Sequence, residues 1–179
     1  SGGNDIRFSV VRYGNVMGSN GSVIPFFNKK KDTGVLPITN PNMTRFNITL
    51  SEGVDIVLHA LENAWGGELF VPKIPACTVS DIASVIAPDC KWNTIGLRPG
   101  EKMHETLIPE DESRNVLEFD NHYVIQPIQS FWGNKIGILG GVSCSDGFQY
   151  ASNCNCETLT PEDLNELLVD FLPSSSTSS

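Results

Sequence analysis

Ile6-Arg7-Phe8-Ser9-Val10-Val11 runs directly into Arg12-Tyr13-Gly14-Asn15-Val16-Met17-Gly18-Ser19-Asn20-Gly21-Ser22. The first six residues read as a strand, and their apolar end has the texture of a strand buried on both faces of a parallel sheet. Gly14, Gly18 and Gly21 then mark a loop with special backbone needs. Val23 to Lys30 follows as a short helix, its apolar side inward and Lys29-Lys30-Lys31 as a solvated end suited to the negative pole of the helix dipole. Strand, glycine loop and helix in that order point to an α/β fold.

Working outward, Leu36 to Thr39 reads as a short extended piece. Thr49-Leu50-Ser51-Glu52 is a capping box, and Val54, Val57, Leu58 and Leu61 repeat behind it at helical spacing as the expected buried stripe. Gly66-Gly67 stops that helix. Glu68 to Pro72 reads as a strand. Thr78 and Asp81 repeat the cap logic before a helix that buries Ile82, Val85 and Ile86 and closes at Pro88. Trp92 to Gly96 is a strand, Arg98 to Lys102 a turn, Met103 to Leu107 helix-like, and His122 to Ile125 a strand. Met17 and Trp92 are read as core residues. From Gly133 to Gly147 the chain turns glycine- and serine-rich, loosely packed or hairpin-like, with one apolar patch at Ile136, Ile138 and Leu139. Thr160 and Pro161 then start a last helix that buries Leu164, Leu167 and Leu168. The serine-rich tail, residues 173–179, reads as disordered.

The 179 residues are 40% hydrophobic and 18% charged, enough for a real core in one compact domain. A net charge of -9 argues against nucleic acid and anionic membrane as bulk partners. No apolar run approaches the roughly 18–20 residues of a membrane span, and the N-terminus is not a signal peptide. Five cysteines with a single close pair, Cys154 and Cys156, read as free thiols of a reducing cytoplasm and not as a metal site. The sequons at Asn20, Asn42 and Asn47 would matter only in a secreted protein.

Several residues could carry chemistry. Arg45 precedes a capped helix, and Arg98 and Lys102 flank a Pro-Gly turn. Arginine suits bidentate contact with phosphate, so two such loops could make a local anion site, although each could equally pair with a surface carboxylate. Asn15 follows a strand, where ligands of open α/β sheets bind. Glu101, His104 and Glu105 resemble an acid/base group, or the solvated face of a helix. What is missing also counts. The sequence has no glycine-rich dinucleotide motif between a strand and a helix and no Tyr-x-x-x-Lys pair, and it offers too few βαβ units for a parallel sheet of its own.

Four strings in order, V-V-R-Y-G-N-V-M-G-S-x-G-S-V-I-P-F-F, L-P-I-T-x-P-x-M-T-R-F, G-G-E-L-F-V-P-K-I-P and G-L-R-P-G-E-K-M-H-E, resemble the inverting UDP-N-acetylglucosamine 4,6-dehydratases. These are extended short-chain dehydrogenase/reductases of the polysaccharide-biosynthesis branch. The likeness covers Ile6 to Pro127 and weakens near Gly147 to Leu168. It implies the C-terminal part of a Rossmann-like α/β fold, mostly the smaller substrate-binding domain. Residues 1–127 would hold the last Rossmann strand and the substrate-binding region, 128–172 a loosely matched extension, and 173–179 the tail. The glycine-rich loop, the Tyr-x-x-x-Lys pair and the Thr-Asp-Lys catalytic string of the family would all lie before Ser1, so the chain is expected to be a C-terminal fragment, inactive alone.

The resemblance implies internal redox: hydride leaves sugar C4 for NADP, water is lost across C5 and C6, and hydride returns to C6 with inversion at C5. The products feed pseudaminic-acid-type sugars and surface polysaccharides. Carried residue by residue, it implies Asn15 at the junction of cofactor and sugar, Val23 and Thr39 along the substrate pocket, and Arg45, Arg98 and Glu101 on the UDP portion. No catalytic residue and no metal ligand is expected within the chain. NADP would be bound mainly by the preceding part, and the full-length enzyme would be a cytoplasmic homo-oligomer. Asn20 departs from a position often basic in the family. Two alternatives stay open on the residues alone: a non-enzymatic nucleotide-sugar-binding or interaction remnant, and a sister UDP-sugar epimerase or reductase.

Overall fold

The computed structural model describes residues 6–128 and 140–171, leaving aside the side chain of residue 170. In chain order the strands and helices are β1 (Val10–Val11), β2 (Asn15–Val16), α1 (Val23–Lys30), β3 (Val35–Ile38), β4 (Thr44–Ile48), α2 (Leu50–Asn63), β5 (Leu69–Pro72), β6 (Ala76–Thr78), α3 (Val79–Ile86), β7 (Lys91–Thr94), β8 (Thr106–Ile108), β9 (Val116–Glu118), β10 (His122–Ile125), β11 (Val142–Ser143), β12 (Tyr150–Ala151) and α4 (Pro161–Leu168). The main sheet runs β1-β5-β10-β9-β11, parallel only between β1 and β5. β2 pairs parallel with β4, which pairs antiparallel with β6; β3 and β7 form a parallel pair, and β8 and β12 an antiparallel one. The fold is mixed α/β, as the sequence implies.

Capping fixes three of the helices. Thr49, Thr78 and Thr160 each accept the backbone N–H three residues on, while Glu52, Asp81 and Asp163 reach back to the cap residue's own N–H. These reciprocal bonds satisfy amides that the first turn leaves without partners. The first core gathers Ile24 and Phe27 of α1, Leu36 and Ile38 of β3, Ile82 and Ile86 of α3, and Leu164 and Leu168 of α4. The second packs Phe46, Val71, Ile108, Tyr123 and Tyr150 between the strands. Tyr150 also ties its hydroxyl to both the N–H and the carbonyl of Ile74. Gly14 is needed where it stands, because a Cβ there would collide with the Cβ and carbonyl of Phe46.

Several expectations are corrected. Ile6 to Val11 is not a strand buried on both faces. Only Val10–Val11 pairs, and Ile6, Phe8 and Val10 are exposed because β1 is an edge strand bonded to β5 alone. In α2 the buried side is Gly53, Ile56 and Ala60, while Val54, Val57, Leu58 and Leu61 are exposed. The helix is apolar on two faces, and the one carrying Gly53, Ile56 and Ala60 is buried. Met103 to Leu107 is not helical; β8 starts at Thr106, held by β12. Trp92 lies on an exposed strand and is not a core residue. Leu167 points outward, although Leu164 and Leu168 are buried as expected. The Ile136, Ile138 and Leu139 patch and residues 173–179 lie outside the described residues.

Candidate functional site

A cleft of about 310 Å³ opens beside the first core. Its walls come from the loop after β2, the start of α1, the end of β3, strand β4 and the turn after β7. All six residues singled out by the resemblance line it: Asn15, Val23, Thr39, Arg45, Arg98 and Glu101.

Each is positioned by local structure. Asn15 begins β2 and is exposed. Val23 is the first residue of α1, whose N-cap, Ser22, makes no side-chain capping bond. The Ser22 hydroxyl is buried without a hydrogen-bond partner among the described residues, and it too lines the cleft. A free hydroxyl beside the unpaired amides of a helix N-terminus is suited to receive an anion. Thr39 follows directly on β3.

The two arginines differ. Arg45, on β4, is mostly committed: Nη1 donates to the carbonyls of Thr44 at 2.7 Å and Met103 at 3.2 Å, and Nε lies 3.7 Å from Glu105 Oε1. Nη2 meets only the sulfur of Met43, at 3.7 Å. Arg45 therefore fastens the segment around Met103 to β4 and leaves one amino group without an oxygen partner among the described residues. Arg98 sits in the exposed turn, and its guanidinium has no hydrogen bond or ion pair among the described residues. Glu101 holds that turn, its N–H donating to the Arg98 carbonyl at 3.0 Å and its Oε2 accepting from the Arg98 N–H at 3.1 Å. Its other oxygen has no hydrogen-bond partner among the described residues.

Glu101, His104 and Glu105 do not form an acid/base group. His104 Nδ1 lies 2.7 Å from the Thr44 hydroxyl, Glu105 faces Asn15, Arg45 and Phe46, and no hydrogen bond joins any two of the three. Sequence reasoning passed over two further residues near the cleft. Asn47 is buried and donates to the Arg45 carbonyl and to Cys77 Sγ. Burial pushes the Cys77 thiol up to about 12, so it stays protonated. Ser152 is buried and bonded to Thr44 and to the Glu105 backbone. A polar residue within the run Arg45-Phe46-Asn47-Ile48 was the available signal for Asn47; for Ser152 the sequence offered none. Among the described residues no group of three His, Cys, Asp or Glu side chains is arranged to hold a metal ion, and no helix is long and apolar enough to cross a membrane.

Comparison with known proteins adds four findings. A family model described as polysaccharide biosynthesis protein matches residues 1–127. The chain is 43% identical over 176 residues to a UDP-N-acetylglucosamine 4,6-dehydratase (inverting) of Campylobacter jejuni, covering 94% of this chain and 53% of that protein. It is also 43% identical over 171 residues to a UDP-glucose 4-epimerase of Rickettsia bellii, covering 92% of this chain and 50% of that protein. The X-ray structure of Pen from Bacillus thuringiensis superposes with a TM-score of 0.78 at 31% identity, over 94% of this chain and 51% of that one. The chain thus spans about half the length of the curated relatives it matches.

Proposed function

The chain belongs to the polysaccharide biosynthesis protein family, and from that premise we propose that its cleft is the UDP-sugar-binding part of a C5-inverting UDP-N-acetylglucosamine 4,6-dehydratase. The observation that carries this reading is the convergence of Asn15, Val23, Thr39, Arg45, Arg98 and Glu101 on one cleft. An uncommitted guanidinium at Arg98, one amino group of Arg45 and the partnerless Ser22 hydroxyl together suit a diphosphate. The second oxygen of Glu101 suits a ribose hydroxyl. Residues 1–127 act as the last Rossmann strand with the substrate-binding region, and 128–172 as an added segment.

The sequence carries no glycine-rich dinucleotide motif between a strand and a helix. NADP, which supplies hydride exchange when bound, is assigned to the other half of a full-length enzyme, with Asn15 at its margin. That enzyme is read as a cytoplasmic homo-oligomer whose product feeds surface-polysaccharide or pseudaminic-acid-type sugars, and this chain alone as inactive. A second reading, a UDP-sugar 4-epimerase, is favoured by the equal identity to the Rickettsia bellii protein. Product analysis separates the two: a 4-keto-6-deoxy sugar marks the dehydratase, and a C4 epimer the alternative.

Calorimetry with UDP tests the site in the full-length protein. Loss of one charge-assisted contact in Arg98→Ala costs about 1.5–3 kcal/mol, roughly a tenfold to hundredfold weaker affinity. Arg98→Lys also weakens binding, because an ammonium does not reproduce the planar fork. Arg45→Ala lowers both affinity and melting temperature, since it releases the Met103 segment as well. NADP affinity stays put. Unchanged UDP affinity in folded Arg98→Ala and Arg45→Ala proteins would return both arginines to surface roles.

A further inference from the structure

Glu105 stands behind the cleft wall and gathers three separate parts of the chain. Its Oε1 accepts from Asn15 Nδ2 at 3.3 Å and lies 3.7 Å from Arg45 Nε. Its Oε2 accepts from the Phe46 N–H at 3.3 Å. A carboxylate offers only acceptors, and this one faces a guanidinium and a backbone amide, both obligatory donors. The backbone of Glu105 is fixed in turn by Ser152, whose hydroxyl accepts from the Glu105 N–H at 2.9 Å and whose N–H donates to the Glu105 carbonyl at 2.8 Å. Ser152 is buried and lies 2.6 Å, hydroxyl to hydroxyl, from Thr44, the residue before Arg45.

This arrangement decides a chemical question about Asn15. An asparagine amide has a donor edge and an acceptor edge, and its orientation sets which one a ligand meets. An acceptor-only neighbour requires the NH2 edge to turn toward it. Glu105 therefore takes Nδ2, and the edge of Asn15 left to the cleft is Oδ1, which has no partner among the described residues. We propose that Glu105 is a positioning residue that locks the Asn15 amide so that the cleft reads a hydrogen-bond donor, a hydroxyl or amide N–H, on the sugar of its ligand. This rests on the nucleotide-sugar reading above and specifies which sugar chemistry the wall accepts.

Glu105→Gln keeps the shape but can offer either an oxygen or an NH2, so it no longer dictates the flip. The measurement is calorimetric affinity of the full-length protein for UDP-N-acetylglucosamine and for UDP. Loss of one oriented hydrogen bond is expected to weaken UDP-N-acetylglucosamine about tenfold and UDP by less than about twofold. Asn15→Leu, at an exposed position, is expected to give the same selective loss and serves should Glu105→Gln fail to fold. Equal losses for both ligands would mean that Glu105 acts only through Arg45 on the diphosphate; that result, or no loss, overturns the proposal. A wild-type protein that binds neither ligand would instead overturn the nucleotide-sugar reading, and this inference with it.

Discussion

His122 is the residue whose surroundings most change its chemistry. It is buried on β10, its ring stacked parallel to Phe119 at 4.7 Å and meeting His59 of α2 edge-on at 4.7 Å. Burial, with His59 and Lys73 nearby, lowers it from 6.5 to about 4. The folded state thus holds it neutral where the unfolded chain would take a proton. Between pH 6.5 and about 4 unfolding takes up that proton, so stability falls as pH drops through this window and is fully present above it. The shift corresponds to about 3 kcal/mol. Urea midpoints at pH 7.5 and 4.5 should differ clearly more in the wild type than in His122→Phe; parallel pH dependences would refute the assignment. Nothing in the sequence marked this residue, because the pairing of β10 beneath α2 that buries it joins segments far apart in the chain. Arg45 and Arg98 were legible as anion-binding types, but not the division between them: which arginine is already tied depends on where the carbonyls of Thr44 and Met103 fall.

At the scale of elements, helix caps are legible in the sequence. Thr49, Thr78 and Thr160 announced their helices, because a cap and its partner lie three residues apart and need no tertiary context. Thr78 starts α3, which buries Val79, Ile82, Ala83 and Ile86, so its cap supports a central element. Thr78→Ala is expected to cost about 1 kcal/mol and to lower the melting temperature by roughly 2–4 °C. Differential scanning calorimetry checks it, and an unchanged melt would show that tertiary packing alone starts the helix. Where the readings failed, the deciding partner was distant. Met103 to Leu107 has helix-compatible spacing, yet β12 draws Thr106–Ile108 into a strand. In α2 the apolar residues cover more than one face, so periodicity could not choose between Ile56 and Val57.

For the whole molecule, α2 and the segment from Ile6 to Val11 belong together. α2 leans on β1 and β5, and beyond that contact Leu50, Val54, Val57, Leu58 and Leu61 are exposed, as are Ile6, Phe8 and Val10. A helix apolar on both sides is normally covered on both, and an open edge strand invites pairing. This chain by itself is therefore expected to brighten a dye specific for apolar surface and to self-associate, while the full-length protein does neither; a dye-silent monomer with a sharp melt would contradict this. The parallel contact of β1 with β5 also sets a timetable for synthesis. Val10 pairs with Leu69, so once β1 has been made, the ribosome must add the intervening helices and loops before its partner exists. At about 5–20 residues per second that is a wait of roughly 3 to 12 s. During that interval Val10 and Val11 lack the β5 side of their pairing, which makes this stretch a place where a chaperone would have something to hold.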